Sequence, residues 1–344
     1  MSGPNSKSYK EAGVDIEAGD QLVDWLQNSS EKSHPLLVQG IGGYASLTRL
    51  PLHKYKKPIL VSCTDGVGTK ALLGAQTGRV RGLGQDLVAM NVNDLVCTGG
   101  DPYFFLDYWA TGKLDLHLVQ EFLTGVREAC HKSGCVLIGG ETAEMPGLYK
   151  GKDFDCAGFA TGLVDEDEIW GAHRVKVGTS IWAFASSGFH SNGYSLLRSV
   201  FEKDLEKWID ILLEPTALYV QLAQKVKAAG VKVQAAAHIT GSGFENLLRV
   251  LPACTQATLF SYELPDIFKE VQKRTGMSRD ELFRTLNCGV GFTFFVETQY
   301  EKALQKIGQE LNIQNWKLGQ VEASVKEEPI YVWADSLSSN EGAR

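Results

Sequence analysis

The chain has 344 residues, 44% of them hydrophobic and 22% charged, with a formal net charge of −7, which suits two globular domains or one large one. An acidic chain without a basic block does not hold nucleic acid through its phosphates, although glycine-rich turns and helix N-termini still bind one or two phosphates locally. No apolar run approaches the roughly 18 residues of a membrane span; Met1 to Glu11 lacks the apolar core of a signal peptide; and seven cysteines without a C-x-x-C pair read as reduced thiols of a cytoplasmic protein.

Met1–Ser8 reads as a loose polar tail, and a helix is expected over Asp15–Leu26. Gly40-Ile41-Gly42-Gly43-Tyr44 forms a glycine-rich turn. Pro58 opens a strand, Ile59–Ser62, that runs into the turn Thr64-Asp65-Gly66-Val67-Gly68-Thr69-Lys70. A mostly apolar helix follows over Gln85–Cys97. Asp115 caps the next helix, whose stripe Val119, Phe122, Leu123, Val126 and Cys130 faces a core, and Gly134 ends it. The strand Cys135–Ile138 then delivers Gly139-Gly140-Glu141-Thr142. The acidic run Asp165-Glu166-Asp167-Glu168 marks a surface boundary, after which the pattern restarts with a strand Ser180–Ala185, a turn Ser186–Gly193 and a helix Tyr194–Phe201. Gly241-Ser242-Gly243 precedes another apolar helix, and a buried strand covers Val290–Val296. This alternation predicts an α/β or α+β fold, with domains over 1–168 and 169–338.

Three strand ends thus open into glycine-rich or polar turns, at 64–70, 139–142 and 186–193. Glycine lets backbone N–H groups approach an anion closely, and Thr69 and Lys70 add a hydroxyl and a cation. Neither Gly112-Lys113 nor Gly151-Lys152 has the flanking residues of a P-loop, and no glycine run carries the dinucleotide fingerprint. Three carboxylates need an account: Asp65, Asp94 and Glu141. Asn91 and Asp94 are three apart and share a face of an otherwise apolar helix. A carboxylate there needs a partner; a salt bridge, a cap, or a magnesium ion that takes one or two carboxylates and phosphate oxygens all satisfy it. His190, among glycine and small hydroxyl residues before a helix, is a candidate for phosphate binding or proton transfer. His238, before Ile239-Thr240-Gly241, has a comparable setting.

Taken together, these strings resemble the phosphoribosylformylglycinamidine cyclo-ligase (aminoimidazole ribonucleotide synthetase) family. The matching stretches are Ser8–Ile16, the 64–70 turn, Asp86–Asp94, Phe104–Tyr108, Ala110–Leu114, Gly139–Gly147, His190–Ser195, His238–Gly241 and Asn287–Gly291. The resemblance runs from about residue 8 to about 325, and its order and spacing are specific. It implies a two-domain fold: an N-terminal domain that dimerises by joining strands into a shared barrel, and a C-terminal α/β domain, with the active site between them. It implies ATP- and magnesium-dependent closure of formylglycinamidine ribonucleotide to aminoimidazole ribonucleotide, ADP and phosphate, by a homodimer. Carried over residue by residue, Asp65 and Asp94 are the metal residues. Gly66, Gly68, Thr69, Lys70, Asn91 and Asp94 contact nucleotide. Gly140, Glu141, Thr142, His190, Ser191 and Asn192 contact substrate, with His190, Lys70 and Asp65 as the catalytic set.

The chain departs from the family pattern at Ser242, where a glycine is expected, at Phe244-Glu245, one residue short of the usual turn, and at Leu248 and Gly100-Asp101. Selenophosphate synthetases, thiamine-phosphate kinases and hydrogenase-maturation proteins share the superfamily. The first carry a reactive Cys or selenocysteine in the segment that here reads Gly40–Tyr44, and the last end in cysteine where this chain ends Gly342-Ala343-Arg344.

Overall fold

The computed structural model describes residues 15–29 and 34–335. The expected tail Met1–Ser8 and most of the Ser8–Ile16 string lie outside these. Helix α1 (Ile16–Ser29) is followed by the short strands β1 (Leu37–Gln39) and β2 (Leu47–Thr48). Then come β3 (Pro58–Gly66), α2 (Lys70–Thr77), α3 (Arg81–Cys97), β4 (Asp101–Thr111), α4 (Leu116–Lys132), β5 (Val136–Glu144) and β6 (Phe154–Asp165). Strands β3 to β6 form one sheet in the order β3-β6-β4-β5. Only β4 and β5 run parallel there, because α4 supplies the crossover between them. The α4 start follows its cap: Asp115 accepts the Leu118 N–H at 3.2 Å, and the predicted stripe is buried.

The second sheet is built from β7 (Ser180–Ala185), β8 (Val233–His238), β9 (Thr255–Leu259), β10 (Val290–Val296), β11 (Asn315–Ala323) and β12 (Ile330–Trp333), in the order β12-β9-β11-β7-β10-β8. Its helices are α5 (Tyr194–Phe201), α6 (Leu205–Leu212), α7 (Val220–Ala228), α8 (Asp266–Thr275), α9 (Arg279–Thr285) and α10 (Glu301–Glu310). Strand β10 is buried at every position, which explains its unbroken apolar run.

Helix α3 joins the two sheets. From Leu83 to Val96 nearly every residue is buried, including Asp86, Asn91 and Asn93. A helix with no polar face must be covered on all sides, and α3 packs on β3, β6 and α4 as well as on β8 and α7. Its approach to α4 is backbone to backbone. A Cβ at Gly125 would lie 1.9 Å from the Arg81 carbonyl oxygen, and one at Gly84 2.3 Å from that of Phe122. Only glycine permits that crossing.

Two sequence expectations change here. Residues 139–142 are not a turn but the middle of β5, and Asp65 and Gly66 are the last residues of β3, so the first turn shrinks to 67–69. Glycine punctuates loops, yet Gly140 sits in a strand because Asp107 fills the space its Cβ would need: Asp107 Oδ1 would be 2.1 Å away. Among the described residues no helix is long and apolar enough to cross a membrane.

Candidate active site

Asp65 ends β3 and accepts the Gly66 N–H at 2.7 Å. Asn91, fully buried on α3, donates through Nδ2 to the Leu87 carbonyl at 2.8 Å and to that of Asp65 at 3.2 Å. Its Oδ1 is buried without a protein partner. One turn further along, Asp94 emerges toward the same place. Burial raises the Asp65 carboxyl above its ordinary pKa; the Gly66 N–H opposes this, and the nearby Asp94 charge adds to it. Two neighbouring carboxylates and an unpartnered amide oxygen therefore meet where β3 and α3 cross.

The six-stranded sheet closes this place with His238, the last residue of β8. Its Nδ1 lies 2.9 Å from Asp94 Oδ1, and its Nε2 lies 3.4 Å from Asn93 Nδ2. The amide can only donate, so the network assigns the imidazole proton to Nδ1, pointing at Asp94. His190 stands behind it, ring centroid to ring centroid 6.2 Å. It is fully buried, and its φ of 61° is left-handed. The Ser187 N–H donates to His190 Nε2 at 3.2 Å, so the proton belongs on Nδ1, which is buried and has no acceptor in the protein. Burial, then His238 and Lys70, hold the His190 pKa well below its ordinary value. His190, read from the sequence as a candidate for phosphate binding or proton transfer, is here a neutral, buried hydrogen-bond donor.

Lys70 also departs from expectation. Its ammonium is fully buried and bonds Asp86 at 2.7 Å and the carbonyls of His190 at 2.9 Å and Glu214 at 2.7 Å. With a carboxylate and two carbonyls around it in the core, the ammonium is engaged within the protein. Burial forces the pairing, since an unpaired charge in the core is too costly. Thr69 and Gly68 stay at the surface of the turn. The Thr69 hydroxyl lies 3.3 Å from that of Ser195, and Gly68 has φ 58° with open space around it.

Ser191 is buried, its hydroxyl 3.3 Å from that of Thr216. Asn192 is half-buried against Met90 of α3. The structure thus brings Asp65, Asn91, Asp94 and His190 together with His238 and Asn93, sets Asn192 against Met90 of the same helix, and places Asp86 with Lys70 in the core. Asp86 and Asn93 carried only a faint signal, as polar residues in an apolar helix.

Gly140, Glu141 and Thr142 lie elsewhere. Asp65, Gly158, Asp107 and Gly140 stand in one row across the four-stranded sheet, so three strand spacings, about 14 Å, separate Gly140 from Asp65. They line a cavity of about 690 Å³ with Tyr44, Asp107 and Phe159, between α1, the 40–46 loop and the sheet. Burial pushes the Asp107 carboxyl there up to about 7.

Fold and site define a two-domain α/β protein with a carboxylate and imidazole cluster where its two sheets meet across one helix. Residues 50–164 match the AIR synthase related protein N-terminal domain and residues 176–332 its C-terminal domain. The chain belongs to the AIR synthase related protein family. Solved structures share the fold at low identity. Thiamine-monophosphate kinase from Stenotrophomonas maltophilia K279a is 18% identical with TM-score 0.67, covering 91% of this chain and 95% of that one. Hydrogenase maturation protein HypE in complex with ATP is 14% identical with TM-score 0.65, covering 92% and 91%. AaThiL complexed with AMPPCP and TMP is 15% identical with TM-score 0.58, covering 95% and 96%.

Proposed function

We propose that the chain is an ATP-dependent cyclo-ligase that closes formylglycinamidine ribonucleotide to 5-aminoimidazole ribonucleotide, releasing ADP and phosphate. One observation carries the reading: Asp65, Asn91 and Asp94 meet His190 and His238 where α3 crosses the ends of β3 and β8. The ordered strings from Asp86–Asp94 to Asn287–Gly291 support this reaction over others in the superfamily. ATP use is supported by the fold shared with HypE in complex with ATP and AaThiL complexed with AMPPCP.

In this reaction the formyl oxygen takes the γ-phosphoryl group of ATP, an amidine nitrogen attacks the activated carbon, and phosphate leaves as the ring closes. Such chemistry asks for positioning and charge neutralisation more than for a protein nucleophile. A magnesium ion fits the residues present. Asp65 and Asp94 supply carboxylates and Asn91 an unpartnered buried oxygen, all hard donors. Among the described residues no group of three or more His, Cys, Asp or Glu makes a dedicated metal cage, so the other positions fall to phosphate oxygens and water. Bound there, the ion neutralises phosphate charge. The protein's own groups do the rest. His190 donates its Nδ1–H to a substrate oxygen without becoming charged. Asp94 and Asn93 lock His238 in one orientation, and the apolar flanks of α3 limit water.

The proposed enzyme is a homodimer formed through the N-terminal half. Among the described residues strand β3 is an unpaired sheet edge with Ile59 39% and Leu60 59% exposed, and Phe159 on the next strand is 44% exposed. A nine-residue edge that opens with four apolar residues calls for a partner strand. The test is turnover with formylglycinamidine ribonucleotide, ATP and magnesium, following ADP and the diazotisable aminoimidazole together. Equal yields are expected. ADP without the aminoimidazole, or phosphorylation of thiamine monophosphate instead, overturns the reading.

A further inference from the structure

The Lys70–Asp86 pair does more than neutralise itself. Both residues stand on helices of the four-stranded sheet, α2 and α3, and both are fully buried. Beyond their mutual contact, the side-chain hydrogen bonds they make reach the other half of the protein. Lys70 Nζ donates to the carbonyls of His190 and Glu214. Asp86 Oδ1 accepts from the Thr216 N–H at 2.7 Å and from its hydroxyl at 2.6 Å. The Tyr194 ring lies 5.4 Å from the ammonium. An apolar pair of similar volume gives comparable stability at such a site, so stability alone does not account for two buried charges. What the charges add is direction: one bond fixes the His190 carbonyl, and the others fix Glu214 and Thr216, whose hydroxyl lies 3.3 Å from that of Ser191 beside His190.

His190 needs fixing. A non-glycine residue in the left-handed region is uncommon. Here its carbonyl is held by Lys70 and its Nε2 by the Ser187 N–H, which leaves Nδ1 as its one polar side-chain atom without a protein partner. We propose that Lys70 is a positioning residue: paired with Asp86, it pins the His190 backbone so that the neutral imidazole keeps its Nδ1–H free beside His238 for a ligand oxygen. The kinetic consequence rests on the cyclo-ligase reading; the tautomer consequence does not.

The test uses Lys70→Met/Asp86→Asn, which removes both charges and keeps an acceptor for Thr216. Nitrogen-15 side-chain spectra of labelled histidine read the His190 tautomer in the full-length protein, assigned by the signal lost in His190→Gln. In the native protein a single neutral Nδ1–H tautomer is expected at about pH 7. In the double variant that signal gives way to an average of both tautomers. Its kcat for ring closure drops about 10–100-fold, as for a group misplaced by about 1 Å, while the Kd for ATP without substrate changes less than about twofold. A folded double variant with the native His190 signal and native kcat overturns the proposal. A charged or Nε2–H imidazole in the native protein overturns it without any variant, which also decides the case if the double variant does not fold. Failure of the native protein to turn over formylglycinamidine ribonucleotide, with the tautomer results as expected, sinks the cyclo-ligase reading and leaves the positioning role standing.

Discussion

Removing Asp86 alone strips Lys70 of its paired counter-charge, leaving only the weaker pull of Glu214 among the charges acting on it, and takes the acceptor from the Thr216 N–H and hydroxyl. Breaking a buried pair from one side costs about 3–5 kcal/mol. With an unfolding entropy of about 2.1 cal/mol/K per residue, a chain this long loses about 1.4 °C per kcal/mol, so Asp86→Ala lowers the melting temperature by about 4–7 °C if it unfolds as one unit. The loss has a pH signature. Burial already lowers the Lys70 pKa below 10.5, and Asp86 opposes that. Without Asp86 the folded-state value drops further while the unfolded value stays. The unfolded chain then binds the proton more readily, so the penalty is complete below the folded pKa and fades as pH rises toward 10.5. Urea denaturation at about pH 7 and about pH 9.5 measures this, with a smaller deficit expected at the higher pH. A deficit below about 1 kcal/mol at pH 7 refutes the buried-pair account. An equal deficit at both pH values shows that lost packing, not the stranded charge, is responsible.

Asp94→Asn keeps an oxygen for His238 and removes the charge, so melting without magnesium stays level while ADP release falls by about 10²–10³; unchanged turnover at saturating magnesium refutes the metal assignment. His190→Ala empties a buried, left-handed position and strands the Ser187 N–H, and costs about 2–4 kcal/mol by urea denaturation in addition to activity; a neutral effect on stability contradicts the packing described. The Asp107 carboxyl, raised to about 7 from 3.8, makes folding less favourable as pH rises through that window, because the folded form holds its proton and the unfolded form releases it; Asp107→Asn flattens that part of a melting-temperature profile. Leu60→Glu on the exposed edge of β3 gives a folded monomer by light scattering; a dimer that survives it places the interface elsewhere.

Segments governed by local signals were legible in the sequence. β7, α5 and β10 occupy the spans expected from their apolar periods and flanking glycines, and Asp115 caps α4 through its own third neighbour. The candidate site was legible in part. Asp65, Asn91, Asp94 and His190 stand out as polar residues in apolar or glycine-rich surroundings, and the structure brings them together. What was missed depends on partners far along the chain. Lys70 looks like a phosphate ligand beside a glycine turn, but its acceptors are 120 and 144 residues away. His238 gains its meaning from Asp94, also 144 residues away. Gly140 reads as a turn because nothing in the sequence says that Asp107 lies across from it.

The helix shared by both sheets also sets a schedule for synthesis. The stretch from Met90 to Asp94 leaves the ribosome 144 residues ahead of the strand end that covers it. At about 5–20 residues per second that is a gap of about 7–30 s, during which an apolar helix has one flank bare. Over that interval the nascent chain is a natural client for holding chaperones. A product cut short before His238 keeps that flank bare and lacks the imidazole that pairs with Asp94.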